Sequence, residues 1–278
     1  MARKRSLKFD KVGNWSEIKL EIVEAYAQAY SKIISAQKNP QLYHVYIDAF
    51  AGSGEHLSKD KGQIIQGSPL KALSVTPPFR EYFFIDLDDL KVKHLSEIVG
   101  KREDVHVFNG DCNDVLKAEV FPKTRWEQYR RGLCLLDPYG LHLDWEVIET
   151  AGKMRSIEIF LNFPVADMNR NVIWHNPDGV GDDDIMRMNA FWGDESWKSI
   201  AYTTERDLFG HVEKEPNIVI AEGFRKRLRD TAGFEYVPAP LPMRNKNNAI
   251  IYYLFFAAHK PVSTTIVDYI FKKYGKGK

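Results

Sequence analysis

The feature that most constrains this chain is a repeated pattern of short, nearly unbroken apolar segments, each running into a polar cluster. Tyr43-His44-Val45-Tyr46-Ile47-Asp48 enters Gly52-Ser53-Gly54, and Tyr82-Phe83-Phe84-Ile85 ends at Asp86. Val105-His106-Val107-Phe108 leads to Gly110-Asp111-Cys112, and Leu133-Cys134-Leu135-Leu136 stops at Asp137-Pro138-Tyr139-Gly140. A fifth run, Ile157-Glu158-Ile159-Phe160-Leu161, follows. Strands apolar on both faces belong to a parallel sheet covered on both sides. Helical patterns over 68–74, 88–99 and 144–154 separate them. An N-terminal helix over 15–37 carries Ile18, Ile22, Val23, Tyr26, Tyr30, Ile33 and Ile34 at helical spacing, with Asn14 or Ser16 expected as its cap. The alternation predicts a doubly wound, mostly parallel sheet of about seven strands, whose ligands gather at the carboxyl ends of the strands. Every polar cluster above falls at such an end.

The stretch 163–233 breaks this rhythm and reads as a helical insertion. After it, 234–237 and 250–258 read as a closing antiparallel hairpin at the sheet edge, joined through 238–248. No linker divides the 278 residues, so one domain over 1–278 is expected. With 39 Lys and Arg against 38 Asp and Glu, the net charge of +1 argues against a basic field over the whole surface, though not against a local phosphate-binding patch. The two cysteines, Cys112 and Cys134, are too few for a disulfide framework or a cysteine-rich metal site, and read as buried reduced thiols. Residues 1–8 lack the apolar core of a secretory signal. The longest apolar run, 249–258, is half the roughly 20 residues of a membrane span. A cytoplasmic protein without a membrane segment is expected.

Each strand end carries its own chemistry. The glycines of Asp48-Ala49-Phe50-Ala51-Gly52-Ser53-Gly54 let backbone approach a ligand, and Asp48 can accept from a cationic amine. A dinucleotide fingerprint wants a small residue where Leu57 stands, which counts against that class. Asp86 can accept from two vicinal ribose hydroxyls. It lies 32 residues past Gly54 (86 − 54), against roughly 20 in that fingerprint, so 57–66 reads as an insertion and a mobile flap. Asp88 and Asp89 suit caps of the next helix. Asp111 followed by the Cys112 N–H suits the amino-pyrimidine edge of adenine. Asp137-Pro138-Tyr139 brings together an acceptor, an exposed carbonyl and an aromatic face, which an exocyclic amine on a planar base requires. A tight turn, an Asp-Pro turn start and a packed tyrosine are the structural alternatives.

In this order the clusters resemble the class I S-adenosylmethionine-dependent methyltransferase, a Rossmann-like fold. Trp15-Ser16-Glu17-Ile18-Lys19-Leu20, then Asp48 to Gly54, then Leu136-Asp137-Pro138-Tyr139-Gly140 look like the three-Cys-motif partner family (TcmP), over about 15–260. The resemblance implies S-adenosylmethionine as cofactor. Asp48, Gly52 and Gly54 would surround its methionine part, with Phe50 also in contact. Asp86 would hold the ribose, Asp111 the adenine amine, and Cys112 would give a backbone contact to the ring. Asp137, Pro138 and Tyr139 would face the methyl acceptor. The family name implies a cysteine-rich partner protein, and no metal is implied. Nucleic-acid amine methyltransferases often show Asp/Asn-Pro-Pro-aromatic here. This chain has one proline fewer and looks closer to the Asp-Pro-Phe-Gly of some tRNA guanine-N2 enzymes. The expected reaction is methyl transfer to an exocyclic amine of a nucleobase in DNA or RNA. A non-catalytic cofactor-binding subunit and a small-molecule or protein methyltransferase are the rival readings.

Other features fit plainer roles. His142 reads as solvent-facing, Asp144 as a helix cap, and Asp182-Asp183-Asp184 as a solvated loop or helix start. Trp174, Trp192 and Trp197 read as anchors of the insertion. Arg225, Lys226, Arg227 and Arg229, with Arg3-Lys4-Arg5 and Lys272-Lys273, are the candidate phosphate contacts. No nucleophile-elbow, zinc-protease or phosphate-loop pattern occurs.

Overall fold

The computed structural model describes residues 6–206 and 212–275, with the side chains of 204–206 excepted. Arg3, Lys4 and Arg5 therefore lie outside the described residues, as does 207–211 of the insertion. The chain opens with β1 (Asp10–Val12), α1 (Asn14–Ala36) and β2 (Tyr43–Asp48), followed by β3 (Glu55–Ser58), β4 (Ile64–Gln66) and α2 (Ser68–Leu73). Then come β5 (Glu81–Asp86), α3 (Asp89–Val99), β6 (Val105–Asn109), α4 (Cys112–Val115), β7 (Arg130–Leu136), α5 (Trp145–Met154) and β8 (Ile157–Phe163). The inserted segment supplies α6 (Val165–Asn171), α7 (Asp182–Trp192), α8 (Trp197–Ala201), β9 (Tyr202–Arg206), β10 (Val212–Lys214) and α9 (Asn217–Asp230). The chain closes with β11 (Leu241–Arg244), β12 (Ile250–Ala257) and α10 (Pro261–Gly275).

Seven strands form the central sheet in the order β11-β12-β8-β7-β2-β5-β6. β6, β5, β2, β7 and β8 run parallel, and β12 runs antiparallel to both β8 and β11. This is the expected doubly wound, mostly parallel, Rossmann-like sheet with an antiparallel edge. Alternation along each strand sorts its residues between two apolar layers. Val45, Ile47, Phe83, Ile85, Cys134 and Leu136 face one layer with α5, α7 and α9. Tyr46, Tyr82, Phe84, Leu133, Leu135 and Phe160 face the other with α1 and α10.

Three local expectations are corrected. α1 is preceded by Gly13 and has no side-chain cap: Asn14 is already helical and Ser16 lies in the first turn, where neither can serve. The strand paired with β12 is β11, drawn from the segment read as a connection, while Tyr236 makes only one bridge to Ala258. Pro242 is tolerated because β11 is an edge strand. The 57–66 segment belongs to a small sheet, with β3 parallel to β1 and antiparallel to β4. Buried Glu17 ties it to α1 by accepting from Ser58 Oγ at 2.6 Å and from Lys61 at 2.5 Å. The inserted helices pack on β8, with Phe224 4.8 Å from Phe163, centroid to centroid.

Candidate functional site

The strand alternation also places the acids. Tyr46 and Leu135 face α1, so two residues further on Asp48 and Asp137 emerge on the α1 side. Asp86 follows Phe84 with the same parity, as Asn162 follows Phe160. Three carboxylates from neighbouring strands thus leave the sheet at one end and on one face. On α1, Lys19 stands one turn before Ile22 and Val23 on the apolar stripe, so its stem lies against the sheet.

Lys19 Nζ forms an ion pair with Asp137 Oδ2, the lysine side chain 7% and the aspartate side chain 26% exposed. The ammonium also lies 5.6 Å from the centroid of the Tyr252 ring. Asp48 is fully buried; its Oδ1 accepts from the Phe50 N–H at 3.3 Å, and its Oδ2 has no hydrogen-bond partner. Burial pushes its carboxyl up to about 7, eased by the nearby Ser68 hydroxyl and the Phe50 N–H; the Asp137 charge adds to the rise and Lys19 opposes it. An orphaned, buried carboxylate oxygen calls for a donor. His56 stands close by. A Cβ on Gly67 would come within 3.1 Å of its Nε2, and its buried Nδ1 has no partner. Burial lowers the His56 pKa, and the Lys19 charge adds to the fall.

The glycine turn is tied to Asp86, whose Oδ2 accepts from Gly52 N at 2.8 Å and Oδ1 from Asp88 N at 2.9 Å. Gly52 and Gly54 hold φ of +62° and +80°, and a Cβ on Gly54 would lie 2.8 Å from Leu95 Cδ1. Gly54 is the position that calls for glycine, whereas Gly52 has room for a Cβ and a φ that Tyr129 and Arg155 also adopt, at +59°. Beyond the turn opens a cavity of about 290 Å³ lined in part by Phe50, Leu87, Asp111, Cys112, His142, Asp144 and Arg187. Asp111 caps α4, its Oδ1 accepting from Asn113 N at 2.8 Å. Asn113 in turn donates to the His142 carbonyl at 3.3 Å and accepts from Asp144 N at 2.8 Å, which fixes the loop before α5. Burial pushes the Cys112 thiol up to about 12, with Asp111 and Asp144 adding to it, so it is no nucleophile.

Phe50, Asp111 and Cys112 thus line the cavity, while Asp48, Asp86, Gly52 and Asp137 lie around the turn and the Lys19 pair. Pro138 is buried, its carbonyl accepting from Asn162 Nδ2 at 3.5 Å. Tyr139 is 92% exposed, unpacked beside Asp137. Gly140, at φ +75°, turns the chain so tightly that a Cβ would lie 2.8 Å from Asp167 Oδ2.

Lys19 and His56 escaped sequence reasoning. The signal for Lys19 was a cation on the apolar stripe of α1; nothing local marked His56. His142 is exposed yet borders the cavity. Asp144 holds the cap position of α5 without a side-chain cap bond. Asp88 does cap α3, accepting from Leu90 N at 2.9 Å, and Asp182, Asp183 and Asp184 form the first turn of α7. Trp192 and Trp197 are buried anchors, whereas Trp174 is 40% exposed. Arg227 turns inward to the Trp192 carbonyl at 2.6 Å and Asp194 at 2.7 Å. Arg225 donates to the Val237 carbonyl at 2.7 Å, so these two arginines brace the insertion.

No family model and no curated protein sequence matches the chain. Among solved structures, a Legionella pneumophila protein described by the DUF519 family model is similar at a TM-score of 0.55 and 13% identity, over 96% of this chain and 95% of that one. That likeness shows a shared fold. A structure named DszA carbon methyltransferase is similar at a TM-score of 0.46 and 14% identity, over 87% of this chain and 54% of that one. Among the described residues, no helix is long and apolar enough to cross a membrane.

Proposed function

We propose that this protein is an S-adenosylmethionine-dependent methyltransferase of the three-Cys-motif partner type, acting on an exocyclic amine of a nucleobase in DNA or RNA beside a cysteine-rich partner. The observation that carries the reading is the grouping of Asp48, Asp86 and Asp137 on one face of neighbouring strand ends, around the Gly52-Ser53-Gly54 turn whose Gly52 N–H is held by Asp86.

The residues present fit the cofactor. The orphaned Asp48 Oδ2 suits an α-ammonium, and Asp86 keeps lone pairs for ribose hydroxyls after accepting two backbone N–H groups. The cavity beside Phe50, Leu87 and Cys112 suits a flat base, with Asp111 at its edge. When bound, S-adenosylmethionine supplies an electrophilic methyl group, so positioning is the protein's main task.

Asp137 has Oδ2 held by Lys19 and Oδ1 left to accept from the amine of the incoming base. That bond orients the amine while its lone pair attacks. The amine would need no base beforehand: the N–C bond would form as the sulfonium S–CH3 bond breaks, S-adenosylhomocysteine would leave, and the amine proton would pass to solvent. Lys19 fixes the carboxylate in one orientation and balances its charge. The exposed Tyr139 ring offers a stacking face beside it.

A labelled-methyl transfer assay over DNA, RNA and protein pools, with and without the partner, tests the reading. Label in nucleic acid, lost in Asp137→Ala, is the expected result. Cofactor binding without transfer to any pool would leave a binding subunit and refute the proposed activity.

A further inference from the structure

A second cavity, of about 230 Å³, lies at the opposite end of the sheet, where β7 and β8 begin and β12 ends. It shares no residue with the site above. Its walls are largely apolar: Tyr26, Tyr30 and Ile34 of α1 face Val262 and Ile266 of α10. Its rim carries cations. The Arg131 guanidinium stacks 3.4 Å from the centroid of the Trp126 ring, and Lys260 Nζ lies 5.3 Å from the same centroid. Arg131 donates to the carbonyls of Trp126 and Arg130. Among the described residues, neither Arg131 nor Lys260 forms an ion pair with a carboxylate.

Inside, His259 is 4% exposed; the Gly152 carbonyl lies near its ring, but neither ring nitrogen meets hydrogen-bonding geometry with any group among the described residues. Burial holds its imidazole down at about 4, Arg155 and Lys260 push the same way, and Glu235 and the Gly152 carbonyl only partly oppose them. A neutral ring has one N–H to give. The 15-residue α10 begins beside the cavity, with Val262 and Ser263 of its first turn in the lining. That helix start adds partial positive charge. The lining carboxylate, Glu158, is already occupied, accepting from Tyr26 Oη and Ser263 Oγ at 2.6 Å each. Arg155 pairs with Glu235.

Unneutralised cations and an unused donor at an apolar hollow define a complementary ligand. We propose that this cavity binds a small monocarboxylate with an apolar body, its carboxylate held by Arg131, Lys260 and His259 and its body set among Tyr26, Tyr30 and Ile34. A cationic ligand would meet the two free cations. A hydrated dianion would leave the apolar walls unfilled. The cavity is below the roughly 300 Å³ at which sites for drug-sized ligands begin, which sets the small size.

Calorimetric titration of the full chain with octanoate, octanol and inorganic phosphate tests this. Octanoate should bind, with octanol and phosphate each weaker by roughly tenfold or more, as the loss of one charge-assisted contact predicts. Lys260→Gln, at an exposed position, and His259→Phe, which keeps the ring, should each weaken octanoate by roughly fivefold to tenfold. Absence of octanoate binding, octanol or phosphate binding equally well, or octanoate binding unchanged in both variants would overturn the proposal. Affinity for S-adenosylmethionine should not change in either variant, which separates this site from the other.

Discussion

Asp48 makes the site's electrostatics measurable without any ligand. Burial raises its carboxyl from 3.8 to about 7, so between those values the folded chain keeps a proton that the unfolded chain has released. The stability associated with this group is whole below the unfolded pKa and is lost as pH rises through the folded one. At about 1.36 kcal/mol per unit, the loss is about 4 kcal/mol in total, about half of it between roughly pH 5.5 and 8.5. Asp48→Asn abolishes that term. Urea unfolding of both proteins across this range should show the wild type losing about 2 kcal/mol more than the variant as pH rises. His44 and His259, both held down at about 4 by burial, act in the opposite sense only up to about pH 6.5, where unfolded imidazoles lose their charge, and they cancel in the difference. Parallel stability curves would refute the reasoning, because they would mean that Asp48 folds with an ordinary carboxyl.

Further outcomes follow from the same geometry. Lys19→Met should cost about 1–3 kcal/mol, below the figure for a fully buried pair because Asp137 is partly exposed. It should also lower kcat by about 100-fold with little change in cofactor affinity. Lys19→Arg should restore part of kcat, and equal losses in both variants would remove Lys19 from the positioning role. Asp86→Ala strands the N–H groups of Gly52 and Asp88, so S-adenosylmethionine affinity in a calorimeter should fall by about tenfold or more. Asp111→Ala should weaken binding too and cost about 1 kcal/mol of cap energy by urea unfolding. Gly54→Ala forces a side chain to φ +80° against Leu95, and a thermal melt should show about 1–3 kcal/mol of destabilisation.

The sheet could be read from the sequence because its strands are apolar on both faces and each stops at a polar residue that cannot continue the core. Asp48, Asp86 and Asp137 declared themselves this way. Features that depend on distant pairing did not. Lys19 and Asp137 are separated by 118 residues and meet only because α1 crosses the face on which Asp137 emerges. β3 and β4 looked like an unpaired excursion because their partner, β1, is a three-residue strand with no periodicity to detect. β11 was hidden by Pro242 and the polar residues after it, and is a strand only because β12 pairs with it. The cavity near Asp111 owes Arg187 to the inserted segment, whose docking on β8 comes from Phe191, Trp192 and Phe224 packing on Phe163.

Titrating the purified chain with S-adenosylmethionine in a calorimeter, with S-adenosylhomocysteine as competitor, reaches the heart of the account. Saturable heat that the competitor abolishes, and that Asp137→Ala leaves intact, is the predicted result. A well-folded chain that gives no heat and shows no competition would contradict it.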